Sequence, residues 1–328
     1  MRKTVFASLL AASMLTSLSC GGSQHSADEK YYLVATSVKI PYWQQAYAGL
    51  SKAAAQLQVK AEMVGPDIYD PKVEHAEFQR ILGKKPTGIM VQVGDPGVLK
   101  EDIDAAIGQG IPVITIDSDA PATKRLLFIG TDNYEAGVMG AKVLLDKLHG
   151  KGNVVVYTIE GQANLNERLH GYKDTLEAHS QIKITEVVDM QGDPRVAFDR
   201  TKEILAKPGK VDAFVCLEAI SCPEVADVLE RQKATDKVVV AMDTDQRTLE
   251  FIQKGLISAT IGQKPFTMAF TGLKLLDDLH HHPLTPLASN WQEDSFSPIP
   301  TFIDTGATPI DKNNVQQFIE ERNTATSK

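Results

Sequence analysis

Short apolar runs alternate with amphipathic segments along almost the whole chain. YYLVATS from Tyr31 reads as a strand, and the next segment places Ala46, Leu50, Ala53, Ala54 and Leu57 on one helical face, with Pro41 suited to its first turn. KAEMVG, GIMVQV and PVITI are further strands, separated by helical spacing near Val73 to Leu82 and Val98 to Ile107. LLFIG, Leu126 to Gly130, is a fifth. Strand and helix in strict alternation predict parallel pairing, hence an α/β fold.

Gly130-Thr131-Asp132-Asn133 interrupts the series before a helix through Leu148, and a crossing between domains is placed there. A second βα series follows: NVVVYTI, a helix near Glu167 to Ala178, ITEVVDM, a helix near Val196 to Ala206, AFVCLE, a helix near Glu224 to Gln232, and VVVAMD. SATIGQ, Ser258 to Gln263, precedes a helix from near Pro265 towards His280. The Pro-, Ser- and Thr-rich tail from Pro283 to Pro300 suits a hinge or surface loop. Val315 to Glu320 offers a short last helix, with Asn323 to Lys328 expected to fray.

The chain has 328 residues, above the usual limit for one core, which favours two domains. Its net charge of −8 argues against binding nucleic acid or an anionic membrane surface. Arg2 and Lys3 precede an apolar stretch from Val5 to Leu18 that is short for a membrane span and reads as a secretory signal within residues 1–20. It ends in Ser17-Leu18-Ser19-Cys20, which resembles the bacterial lipobox and makes Cys20 the expected lipidation site, although Ser17 departs from the usual aliphatic residue. Simple cleavage is the alternative. Residues 21–30 read as a tether. Cys216 and Cys222 are close enough in sequence for a bridge, but the expectation is that they stay unbridged, one on a strand and the other at a helix start.

Three apolar strands deliver an acid at their ends: PVITI ends in Asp117 with Asp119 beyond, AFVCLE in Glu218, and VVVAMD in Asp243. Open parallel sheets bind ligands at this edge. Asp119 stays open between ligand contact and a loop or cap role. Tyr42 and Trp43 open the first helix, and one ring is expected in the core while the other covers the apolar face of a sugar. No GxSxG, Walker loop, HExxH or GxGxxG pattern is present. His280-His281-His282 reads as a polar helix end rather than a metal centre, because consecutive helical residues point in different directions.

In this order the motifs resemble the type I periplasmic binding proteins, in the ribose-binding-protein-like branch of ABC transporter receptors. The resemblance spans about Tyr31 to Phe318 and rests on T-S-x-x-x-P-Y-W at Thr36 to Trp43, G-I-P-V-I-T-I-D-S-D at Gly110 to Asp119, G-T-D-N at Gly130 to Asn133, N-E-R-L-H-G-Y at Asn166 to Tyr172 and A-T-I-G-Q at Ala259 to Gln263. It implies two similar doubly wound parallel-sheet lobes joined by three crossings, near Asn133, Gln263 and the segment 283–297. The first lobe would hold residues 31–132 and about 264–288, the second 133–263 and about 289–328. It also implies ligand contacts from Thr36, Tyr42, Trp43, Asp117, Arg168, Asp193, Glu218, Asp243 and Gln263, with no cofactor and no metal.

Chemically this set suits a sugar, because a carboxylate accepts from neighbouring hydroxyls while Arg donates in a planar fork. Two positions depart from the ribose pattern: Ile40 stands where Asn is usual before the Pro, and Ser118 where Arg is usual after the strand-end Asp. Lys39 could replace a lost donor or simply be solvated. The expected protein is an exported monomer, periplasmic or lipid-anchored at the cell surface, that binds a monosaccharide or polyol and presents it to the membrane permease of an ABC importer. A receptor for a signalling or amino-bearing ligand, feeding chemotaxis or a sensor, is the alternative, and a glycoside-processing enzyme a weaker one.

Overall fold

A computed structural model describes residues 25–26, 28–207, 209–284 and 291–326. The signal segment and Cys20 lie outside the described residues. In chain order the first series comprises β1 (Lys30–Val34), α1 (Pro41–Leu57), β2 (Lys60–Val64), α2 (Pro71–Leu82), β3 (Gly88–Val91), α3 (Pro96–Gly108), β4 (Val113–Ile116) and β5 (Phe128–Gly130). The second runs α4 (Asn133–Leu148), β6 (Gly152–Thr158), α5 (Ala163–Glu177), β7 (Ile182–Asp189), α6 (Pro194–Ala206), β8 (Ala213–Cys216), α7 (Ser221–Gln232), β9 (Val238–Met242), α8 (Gln246–Lys254) and β10 (Ala259–Gly262). Then follow α9 (Pro265–His281), β11 (Phe302–Asp304), β12 (Thr308–Asp311) and α10 (Val315–Thr326).

These strands form two sheets of the same design, ordered β11-β5-β4-β3-β1-β2 and β12-β10-β9-β8-β6-β7. All pairings are parallel except β12 against β10. Alternate residues explain why both faces are covered. Leu33, Met90, Ile114 and Ile129 pack towards α1 and α9, whereas Tyr32, Val34, Ile89, Val91 and Val113 pack with Phe78, Leu99 and Ile103 of α2 and α3.

Helix starts follow a local rule. Asp70, Asp95 and Asp193 each precede a Pro and cap α2, α3 and α6, accepting backbone N–H groups of the first turn.

The chain passes between sheets three times, at β5 to α4, β10 to α9 and β11 to β12. The third crossing differs from expectation. Phe302–Asp304 pairs with β5 in the first sheet, and Trp291 and Ile299 lie in the first lobe's core, so the passage occurs after Asp304 rather than within 283–297. β11 and β12 are short edge strands with little apolar alternation; their pairing partners, not their own pattern, make them strands. The last helix also continues through Thr326, past its expected end. No helix among the described residues is long and apolar enough to cross a membrane.

Candidate functional site

The carboxyl ends of both sheets face each other across a cavity of about 180 Å³. From the first lobe come Thr36 after β1, Gln92 after β3, Asp117 after β4, and Tyr42 and Trp43 in the first turn of α1. Glu218 follows β8, Asp243 follows β9, Gln263 follows β10, and Asn164 and Arg168 project from α5. Asp117 and Asp243 both adopt left-handed backbone, with φ of 66° and 68°. Among non-glycine residues Asp tolerates that region well, and the turn ends the strand at the cleft.

Arg168 is the hub of the second lobe. Its Nε donates to Asn133 Oδ1 at 2.9 Å, Nη1 to the Leu217 carbonyl at 2.7 Å, and Nη2 to Gln263 Oε1 at 2.9 Å. Gln263 passes the polarisation on, donating from Nε2 to Asp243 Oδ1 at 2.9 Å. The arginine is placed by close packing of α4 on α5: a Cβ at Gly137 would sit 2.1 Å from the Arg168 carbonyl oxygen. In the first lobe the Tyr42 hydroxyl donates to Asp117 Oδ1 at 2.6 Å, and Thr36 donates to Gln92 Oε1 through both N–H and hydroxyl.

Burial raises the pKa of Asp117, Asp243 and Glu218, since each carboxylate loses water on entering the cleft. Asp243 is pushed up to about 7, chiefly by desolvation, with Asp117 and Glu218 adding to the rise and Arg168 opposing it. Glu218 is held by Ile220 N–H at 2.6 Å and by the Ser221 hydroxyl.

Side chains also meet across the cleft. Asn164 Nδ2 donates to Asp117 Oδ2 at 3.2 Å, and Gln92 Nε2 to Gln162 Oε1 at 3.4 Å. Gly192, at φ 77°, brings the loop after β7 so near that a Cβ would lie 2.4 Å from Tyr69 Cβ of the other lobe. This is a closed arrangement. Buried groups with spare donor and acceptor capacity surround a small space, which suits a neutral polyhydroxyl ligand.

A family model described as periplasmic binding protein domain matches residues 31–281. The chain belongs to the periplasmic binding protein family. It is similar to the D-allose-binding periplasmic protein of Escherichia coli K12, 26% identical over 264 residues, covering 77% of this chain and 85% of the relative. Among solved structures, a sugar-binding protein of a sugar ABC transporter from Bacillus halodurans is 31% identical with a TM-score of 0.76, covering 89% of this chain and 100% of the other. AraP, an arabinose-binding protein from Geobacillus stearothermophilus, is 30% identical with a TM-score of 0.74, covering 89% and 99%.

Within this binding protein, two of the ten proposed contacts lie off the cavity. Asp119 receives Arg125 Nη2 at 2.6 Å and Ala120 N–H at 2.8 Å, so it ties down the loop between β4 and β5. Asp193 caps α6 and pairs with Arg195 Nη2 at 2.6 Å, a partnership that lowers its pKa; its neighbours Gly192 and Pro194 line the cavity instead. Tyr42 and Trp43 do not divide their roles. Both rings line the cavity and both belong to the core, edge to face at 5.3 Å.

The unbridged expectation for the cysteines is overturned: Cys216 and Cys222 form a disulfide across a Cα separation of 5.7 Å. The turn after β8 carries the chain straight into α7 and brings the two residues together around Glu218. Lys39 is exposed near Asp67, at 3.9 Å, while Ile40 reaches the cavity. Ser118 is buried away from it, and its hydroxyl lacks a hydrogen-bond partner among the described residues.

Gln92, Gln162 and Asn164 were not foreseen as contacts. Gln92 alone carried a detectable signal, a polar residue ending the GIMV strand.

Proposed function

We propose that this protein is the substrate receptor of an ABC-type importer, capturing a monosaccharide or related polyol between its lobes and presenting the closed form to a membrane permease. The observation that carries this reading is the convergence of Asp117, Glu218, Asp243 and Arg168 on one cavity between the lobes, beside two aromatic rings. Carboxylates accept from ring hydroxyls, Arg168 and the amides donate, and Tyr42 and Trp43 offer flat apolar surface to C–H faces. An epimer would leave a buried charged group unpaired, which disfavours it. Allose and arabinose in the names of relatives support a sugar. As a binding protein rather than an enzyme, it performs no chemistry on the ligand.

The three crossings serve as the hinge, with an open form that admits ligand. Export through the signal segment places the monomer in the periplasm or at the cell surface, and Cys20 anchors it by lipid. Replacing Cys20 with Ser then moves the protein from the membrane fraction to the soluble fraction.

A thermal-shift panel of pentoses, hexoses, polyols and amino sugars tests the ligand class. A matching sugar at a hundredfold excess over Kd raises stability by about 3 kcal/mol. Silence across all neutral sugars at millimolar concentration would overturn the proposal, and a response to amino sugars alone would move the ligand to a cationic class.

A further inference from the structure

Far from the cleft, where β1 begins and α9 ends, four metal-type donors meet. His25 Nε2 lies 3.0 Å from Asp277 Oδ2, and His281 Nε2 lies 3.2 Å from Glu29 Oε2 and 3.7 Å from Asp277 Oδ1. One ligand atom from each of the four residues falls within 4.8 Å of every other. Glu29 and Asp277 are only 8% and 6% exposed, so this is not a solvated acidic surface.

Each carboxylate is also oriented from behind. Ser26 N–H donates to Glu29 Oε1 at 2.7 Å, and the buried Tyr31 hydroxyl donates to Asp277 Oδ1 at 2.9 Å. Their other oxygens, Oε2 and Oδ2, therefore face the two imidazoles. Outer hydrogen bonds that fix ligand orientation in this way are a regular part of metal sites.

We propose that His25, Glu29, Asp277 and His281 bind a divalent first-row transition cation, with zinc the best match. Two neutral imidazole nitrogens and two carboxylate oxygens match in type and number the four donors that tetrahedral zinc takes, and together they cancel the ion's charge. Bonds of about 2.0–2.2 Å place ligand atoms roughly 3.4 Å apart, close to the two shortest separations already present. The ion would cross-link the segment before β1 to the end of α9, and so fix the amino-terminal approach to the first lobe on the side away from the sugar. The His280 to His282 run thus contributes one residue, His281, and the missing partners come from the other end of the chain.

The test uses the full chain, stripped with chelator, verified as folded by circular dichroism and titrated with zinc chloride against a chromogenic indicator, with magnesium chloride as control. One zinc per chain is expected, bound at least tenfold more weakly in His281→Gln and Asp277→Asn and unchanged in the double variant His280→Gln/His282→Gln. X-ray absorption at the zinc edge of the unmutated protein should show two imidazoles and two oxygen ligands. Zinc binding that survives His281→Gln, is lost with His280 and His282, or is absent altogether would leave the cluster as simple imidazole–carboxylate pairs and overturn the proposal. So would an edge spectrum without two imidazoles.

Discussion

Asp117 and Asp243 occupy the same place in two sheets. Each follows the fourth strand of its lobe, turns at φ 66° and 68°, and donates its backbone N–H to the next strand, to Ile129 at 3.1 Å and Ile261 at 2.9 Å. The two acids thus line the cavity from opposite lobes, with Glu218 beside Asp243 in the second. Their surroundings break the symmetry: Tyr42 and Asn164 hold Asp117, whereas Gln263 links Asp243 to Arg168.

Removing either charge without changing shape should weaken sugar binding. Asp117→Asn and Asp243→Asn are each expected to cost about 1.5–3 kcal/mol of affinity, because a hydrogen bond to a charged acceptor is lost inside the cleft. Isothermal titration with the sugar found by thermal shift measures this; unchanged affinity in both variants would place the ligand elsewhere.

Asp243 should also shape stability against pH. Its folded-state pKa of about 7 lies above the ordinary carboxylate value, so its contribution is fully present below about pH 4 and is lost as pH rises through 7. Between pH 5 and 8 the ligand-free protein should therefore lose Tm through this group. Asp243→Asn should flatten that slope and be the more stable protein at pH 8, by an order of 2–4 kcal/mol. Parallel Tm profiles for the two proteins would contradict the assignment.

Sugar binding should release protons near pH 6.5. Hydroxyls donating to Asp243 favour its ionised form and lower its pKa in the complex. The binding enthalpy should then vary with the ionisation enthalpy of the buffer, and a buffer-independent enthalpy would count against it.

The Cys216–Cys222 bridge closes a short loop around Glu218. Replacing both cysteines with Ser should lower stability by about 2 kcal/mol, in line with the entropy of so small a loop. Affinity should fall as well, because Glu218 loses its frame. Urea unfolding and titration of the double variant test the two effects separately.

Gly137→Ala should act at a distance from the ligand. The added methyl would meet the Arg168 carbonyl at 2.1 Å, forcing α4 from α5. Overpacking of this kind costs about 1–3 kcal/mol, and the displaced Arg168 should bind sugar less tightly. A variant with native stability and native affinity would show that the helices yield freely.

Much of this was local enough to read along the chain. Strand ends with acids, Pro at helix starts and the alternation of elements all depend on neighbours within a few residues. The missed features share a different physical origin. β11 and β12 have weak patterns of their own and exist because β5 and β10 offer them free edges. Asp119 and Asp193 carry the same charge as Asp117 and Asp243, yet Arg125 and Arg195 neutralise them outside the cleft. Local spacing does not say which of several acids turns inward.

The chain by itself determined the α/β grammar, the edge of each sheet that carries polar groups, and the residues available there, since apolar periodicity and turn chemistry act over short separations. Only the tertiary structure decided which groups become partners. Asn164 reaching Asp117, Gln92 reaching Gln162 and His281 reaching Glu29 join residues 47, 70 and 252 positions apart. Such contacts arise when packed cores bring distant elements within hydrogen-bond reach, a distance that no local pattern encodes.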